Sequence, residues 1–308
     1  LKAVVLERNR MVSRRIARIW GCAGLEVSCV EDPADAPAAA ADAALLGADA
    51  FDGDLVVETL RRNPRLRAVL WTAEPIERAL RFVVEEPRLS NVFGRPSFEE
   101  TPREWELLLV GRRLHRHEAA PFGAFLSWGY VGFKDAVRDS AGRDLAVAHT
   151  QKFVERLGAP RRLGEMFAEL THELLMNALY DAPIDAEGRP RHAHDRKAPV
   201  TLAEDEAAAL RVACDGVRLC IQVADPFGRL ERRHVFQGLA RGLGGQLDRS
   251  GGGAGLGIVT CLQSAGALVF DVVPGHRTEV TGVLDLDLNL RELKTQAKSL
   301  HFFNGSHP

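Results

Sequence analysis

The sequence predicts an α/β protein of about two domains, and three observations carry that prediction. The chain has 308 residues, enough for two cores of ordinary size. Its first third alternates short apolar runs with amphipathic stretches, the pattern of a parallel sheet wrapped by helices. From about residue 119 the order changes to two long helices, a hairpin and two closing strands.

Each element has its own warrant. AVVL (3–6) is an apolar run, and MVSRRIARIWGCAG (11–24) has helical periodicity ending in glycine. LEVSCV (25–30) reads as a strand, the alanine-rich 33–41 as a helix and DAALLG (42–47) as a buried strand. A helix at 54–62, the run RAVLWTA (67–73), a helix at 76–84 and NVFG (91–94) complete the first domain, residues 1–100. REWELLLVGRRLHRHE (103–118) lies within a connecting helix assigned to 101–120. The second domain, 121–295, opens with helices at 140–157 and 161–180 around the turn LGAP. A polar loop (182–198), a hairpin turning at Asp215-Gly216, a helix at 231–243 and two late strands follow, with 296–308 as a tail.

Composition narrows the function classes. Apolar residues make up 46% of the chain and charged residues 27%, so a core can form without metal or disulfide. A net charge of −2 gives no global field to recruit nucleic acid or anionic lipid, although RRLHRH (112–117) is locally basic. Cys22, Cys29, Cys214, Cys220 and Cys261 form no C-x-x-C pair and read as small core residues. No apolar stretch approaches the length of a membrane span, and LKAVVL at the start lacks the run of a signal peptide. The expected location is cytoplasmic.

The order of elements over residues 1–100 resembles a response-regulator receiver, a flavodoxin-like domain. That family keeps carboxylates after its first strand for Mg²⁺ and an acceptor Asp at the end of its third. Here the first strand leads into Glu7-Arg8-Asn9, and the third-strand position falls at Gly47, with Asp42 and Asp52 nearby. Thr72 stands where receivers keep a switch hydroxyl, and Arg95 where they keep a lysine. The resemblance thus implies a pseudo-receiver, a docking or dimerising module for a protein signalling partner, homodimerisation included.

The chemistry concentrates later. ELLMNALYD puts Glu173, Asn177 and Asp181 at every fourth position of one helix, continuing a stripe from Glu169. Asp225-Pro-Phe-Gly228 follows a strand, GGGAGLG (251–257) enters an apolar helix, and Arg277-Thr278-Glu279 starts a late strand. An amide oxygen suits Mg²⁺, a carboxylate one turn earlier suits a base, and glycines let backbone N–H groups approach phosphate. In this order they resemble the ATP-binding α/β sandwich of the GHKL superfamily, over about residues 135–290. By resemblance Glu173 is the base and Asn177 the Mg²⁺ ligand, with Asp181 beside it. Asp225 contacts adenine, Gly228 belongs to the first glycine box, and Gly253, Gly255, Leu256 and Gly257 form the phosphate lid. Thr278 falls near adenine. Phe227 departs from the family's first glycine.

Other readings of single residues lead elsewhere. His172-Glu173 begins a zinc-protease motif whose second histidine is Asn177 instead. His117-Glu118 imitates an acceptor-histidine helix but precedes Pro121. His192, His194 and Asp195 sit in an arginine-rich loop, and Trp71 and Trp128 read as packing anchors. The resemblance, closest to anti-sigma-factor kinases, implies ATP and Mg²⁺ and a serine/threonine protein kinase. The alternatives are a scaffold switched by nucleotide and a histidine kinase-like phosphorelay protein.

Overall fold

The computed structural model describes residues 1–127, 129–244, 254–287 and 290–305. The chain divides into two compact units, Leu1–Ala124 with Leu290–Phe302, and Phe125–Asn289 with Phe303–Pro308.

In the first unit, strands and helices alternate as their apolar spacing demands: β1 (Lys2–Leu6), α1 (Arg10–Cys22), β2 (Glu26–Val30), α2 (Ala36–Ala39), β3 (Leu45–Asp49), α3 (Gly53–Arg62), β4 (Arg67–Thr72), α4 (Glu77–Glu85), β5 (Leu89–Gly94) and α5 (Glu104–Arg116). The strands pair in parallel in the order β2-β1-β3-β4-β5. Every residue of β3 is buried, as a central parallel strand covered on both faces requires. Asn9 caps α1 by accepting from the N–H groups of Met11 and Val12 at 3.0 and 3.3 Å. One stripe of that helix, Val12, Ile16 and Trp20, is buried.

Two expectations fail here for local reasons. The alanine-rich helix at 33–41 shrinks to a 3₁₀ turn at Pro33–Asp35 and the single turn α2, which buries only Ala36. The Asn63 side-chain amide donates to the carbonyls of Ala40 and Ala41, holding them in a turn, and β3 begins only at Leu45. The strand therefore ends on Asp49, two residues past the position expected from the sequence. Gly47 is mid-strand, against the rings of Trp20 and Trp71.

The second unit contains β6 (Val131–Val137), α6 (Ser140–Arg156), α7 (Arg161–Met176), β7 (Ala208–Cys214), β8 (Arg218–Asp225), α8 (Arg232–Leu243), α9 (Ala254–Ser264), β9 (Ala267–Val273) and β10 (Arg277–Asp285). Its strands run antiparallel in the order β9-β10-β8-β7-β6. The registers put Leu210, Ile221, Val223, Val280 and Phe270 on one face and Arg211, Gln222, Thr281 and Glu279 on the other. Leu170 of α7 reaches Gly282 on the apolar face, which makes that the helix-covered side. On the other face Gln222 donates to Thr281 at 3.0 Å. The hairpin turn behaves as its sequence implies: Asp215 accepts from the N–H groups of Val217 and Arg218, and Gly216 has φ +88°.

The chain then returns to the first unit through α10 (Leu290–Thr295) and β11 (Ser299–Asn304). Residues 296–308, expected as a tail, thus include a strand antiparallel to β5, with His301 opposite Asn91. The His301 ring is fully buried, 2.7 Å from Glu106 Oε1 and 3.2 Å from Asn91 Oδ1. Glu106 lies on α5, so the helix expected to connect two domains is a member of the first unit and packs on α1.

Candidate functional site

The helix carrying the striped segment does not stay α-helical to its end. After Met176 it widens into a π-helical turn over Asn177–Asp181, where the Ala182 N–H donates to the Asn177 carbonyl at 2.9 Å. Such widened turns carry an extra residue and concentrate at functional sites. The even four-residue stripe holds for Glu169, Glu173 and Asn177, and the π turn shifts Asp181 away from it. Glu169 is exposed, whereas Glu173 and Asn177 are half-buried.

Asn177, Asp181, Asp225 and Thr278, from three separate stretches of sequence, line one cavity of about 350 Å³ in the second unit. That volume lies within the range of roughly 300–1,000 Å³ common for small-molecule sites. Leu174, Val223, Ile258, Phe270 and Val280 supply an apolar wall, and Arg229 and His234 complete the polar set. An apolar wall with a few convergent polar groups is the arrangement common to small-molecule sites.

Asp225 anchors the polar end. It closes β8 opposite Thr278 of β10, and both side chains fall on the helix-covered face. Its Oδ1 accepts from the N–H groups of Phe227 and Gly228 at 2.9 and 3.3 Å. Burial nevertheless pushes the carboxyl up to about 6, with those two N–H groups and Thr278 opposing the rise. The Thr278 hydroxyl is close enough to favour the ionised carboxylate but falls short of hydrogen-bond geometry. Its buried Oγ1 has no partner among the described residues. A buried hydroxyl without a partner costs about 1–3 kcal/mol, which a ligand atom can relieve.

Asp181 is held differently. Burial raises its pKa, and Arg196 opposes that rise by donating to both carboxylate oxygens, with Nε at 3.3 Å from Oδ1. Loop 182–198 therefore reaches back and neutralises Asp181.

The other expected residues fall outside the lining. Glu173 faces α9: a Cβ built on Gly257 would lie 2.3 Å from its Oε2, so any larger residue there would push the carboxylate aside. The helix begins at Ala254, which puts Gly255, Leu256 and Gly257 in its first two turns rather than in a phosphate loop. Gly253 lies outside the described residues. Gly228 (φ +61°) packs on the β9–β10 turn, where a Cβ would meet the Val273 carbonyl oxygen at 2.2 Å. Its requirement is a backbone approach within the protein, not to a ligand.

Arg229 and His234 escaped the sequence reading. Arg229 follows directly on Gly228, and nothing in its sequence neighbours marks it as a site residue. Among the described residues no group of three or more His, Cys, Asp or Glu is placed to hold a metal ion, the 192–195 segment included. Asp195 there accepts from the N–H groups of Lys197 and Ala198. Among the described residues, no helix is long and apolar enough to cross a membrane. Trp128 lies outside the described residues.

The first unit has an acidic cluster of its own at the C-terminal ends of β1 and β3. Glu7 and Asp49 are both buried, and the Arg95 guanidinium lies between them, at 2.9 Å from Glu7 Oε2 and 2.5 Å from Asp49 Oδ2. Trp71, expected only to pack, donates its indole N–H to the same Glu7 oxygen at 3.0 Å. Burial raises the Asp49 carboxyl while Phe51 N–H and Arg95 pull it back. Asp52 pairs outward with Arg8, and the Thr72 hydroxyl caps Glu74.

No family model matches the chain, and no curated protein matches it.

Proposed function

We propose that the second unit binds an adenine nucleotide with Mg²⁺ in the manner of the GHKL ATPases, and that the chain is a signal-transduction regulator. The observation that carries this reading is the convergence of Asn177, Asp225 and Thr278 on one apolar-walled cavity. Asp225 would accept from the exocyclic amine of adenine, and the unpartnered Thr278 hydroxyl would bond a ring nitrogen or bridging water. The Asn177 side-chain oxygen would serve Mg²⁺, a cation that takes few protein ligands and relies on phosphate oxygens for the rest. Arg196 keeps Asp181 from confronting those phosphates as a bare charge. The eleven-residue helix α9 has Ile258 in the wall, and its amino-terminal end would favour an anion bound beside it.

Isothermal titration of ATP against the purified protein tests the reading. Asp225→Asn should weaken binding by about tenfold or more, as loss of a charged acceptor does. Absence of any heat change with millimolar ATP, with and without Mg²⁺, would remove the proposal. Asn177→Ala should leave metal-free binding in place and abolish the gain on adding Mg²⁺; an undiminished Mg²⁺ effect would reassign the metal ligand.

The raised Asp225 pKa sets a pH dependence with a definite sign. The amine of adenine donates, so the ionised carboxylate is the binding form, and affinity falls as pH drops through about 6. Binding at pH 5 should be roughly tenfold weaker than at pH 7.5, and Asp225→Asn should flatten the profile. An unchanged wild-type affinity across that interval would remove Asp225 from the contact.

Two outputs share this pocket. An anti-sigma-type serine/threonine kinase would use Glu173 to orient an acceptor hydroxyl. A nucleotide-switched scaffold would need no such base, and the packing of Glu173 against Gly257 outside the cavity lining favours it. Phosphate transfer to a serine-bearing partner that Glu173→Gln abolishes would support the kinase. The first unit is read as a pseudo-receiver that docks a protein partner. The strand order β2-β1-β3-β4-β5 is that of flavodoxin-like sheets, and Arg95 fills the place where a divalent cation would sit.

A further inference from the structure

We infer that Arg229 makes a direct cationic contact to the ligand's phosphate, so that this chain binds a nucleotide without any divalent cation. The inference rests on the adenine-nucleotide reading above and extends it to a residue that reading does not use.

Four observations support it. Arg229 lines the same cavity as Asp225, Thr278 and Asn177. Its Nη1 atom is buried and holds no hydrogen bond among the described residues. The two carboxylates of the cavity have partners other than Arg229: Asp181 pairs with Arg196, and Asp225 Oδ1 accepts from the N–H groups of Phe227 and Gly228. The chain itself aims the side chain. Asp225 turns the backbone after β8, Gly228 seats that turn on the Val273–Arg277 backbone, and Arg229 follows immediately into the cavity wall.

A buried guanidinium nitrogen without an acceptor is costly, because its hydration is lost and nothing replaces it. Arginine is suited to phosphate, since its planar fork of donors matches two phosphate oxygens and its charge does not titrate away. An adenine base seated on Asp225 puts its ribose and phosphates within the same cavity. A phosphate oxygen is the acceptor that Nη1 lacks. Mg²⁺ at Asn177 would add to this contact and would not be required for it.

The test compares ADP with adenosine by isothermal titration in EDTA, using the wild type, Arg229→Met and Arg229→Lys. Wild type should prefer ADP over adenosine by about tenfold or more. Arg229→Met should lower ADP affinity to that of adenosine while adenosine binding is unchanged, which also shows that the variant folds. Arg229→Lys should retain part of the preference, as a point charge without the fork. If Arg229→Met keeps the wild-type ratio, or the wild type shows none in EDTA, the inference falls while adenine binding stands. If neither compound binds with or without Mg²⁺, the nucleotide reading falls and takes this one with it.

Discussion

Arg95→Met should destabilise the first unit by about 3–5 kcal/mol at neutral pH, the usual cost of leaving a buried charge without its partner. Arg95 is 3% exposed, and Glu7 and Asp49 are each 6% exposed, so water cannot stand in for the lost guanidinium. The sign of the pH effect distinguishes this cause from lost packing. Burial already raises Asp49 in the wild type. Without Arg95 the Asp49 carboxyl rises further, and the folded state prefers it protonated. The variant should therefore recover stability as pH falls from 7 towards 5, the reverse of ordinary acid denaturation. Urea unfolding at the two pH values measures it, and adding Glu7→Gln and Asp49→Asn to the variant should restore much of the loss. A single variant as stable as wild type at pH 7 would mean that the cluster holds nothing together. The same experiments bear on the pseudo-receiver reading, since a site that needs its guanidinium to fold has no vacancy for a divalent cation.

Gly228→Ala is expected to have a comparable effect on the second unit. At φ +61° an alanine pays about 1–2 kcal/mol in the left-handed region. Its Cβ would also lie 2.2, 2.6 and 2.7 Å from the Val273 oxygen, His276 nitrogen and Arg277 nitrogen. Those are backbone atoms of a hydrogen-bonded turn and have no rotamer by which to withdraw. A loss of about 3 kcal/mol or more follows, or a fall of about 6–12 °C in the midpoint of that unit. Because Gly228 also donates to Asp225, the proposed nucleotide binding should weaken even where the variant remains folded. Calorimetry with ATP titration below the transition reads both effects, and an unshifted transition would show that the turn moves aside freely.

The sequence showed most where burial leaves a strong pattern. Strands β1, β4 and β5 are apolar runs in a covered parallel sheet, and α7 carries Phe167, Leu170 and Leu174 at helical spacing. It showed little where exposure removes the pattern. Strand β6 is largely exposed, with only Val137 buried, so VGFKDAV has no apolar rhythm to detect. Strand β11 was hidden for another reason, because a buried His301 looks polar until Asn91 and Glu106 supply its partners. The candidate site divides the same way. Asn177, Asp181, Asp225 and Thr278 stood in recognisable local contexts and meet in space. Gly228 and Gly257 were noticed as glycines, but their reasons are packing against Val273 and Glu173, which no local spacing encodes. Arg229 had no local context at all, and only the cavity reveals it.

The pairing of β11 with β5 fixes the sequence in which the protein can be completed. All of residues 125–289 interrupt the first unit, so its sheet cannot close until Leu300 and His301 have left the ribosome. The interrupting stretch is available to fold earlier, while the nascent β5 still presents a bare row of backbone donors and acceptors. An amino-terminal fragment ending near residue 120 is therefore an open template lacking its border strand, and biosynthesis leaves the same open template until β11 has been made.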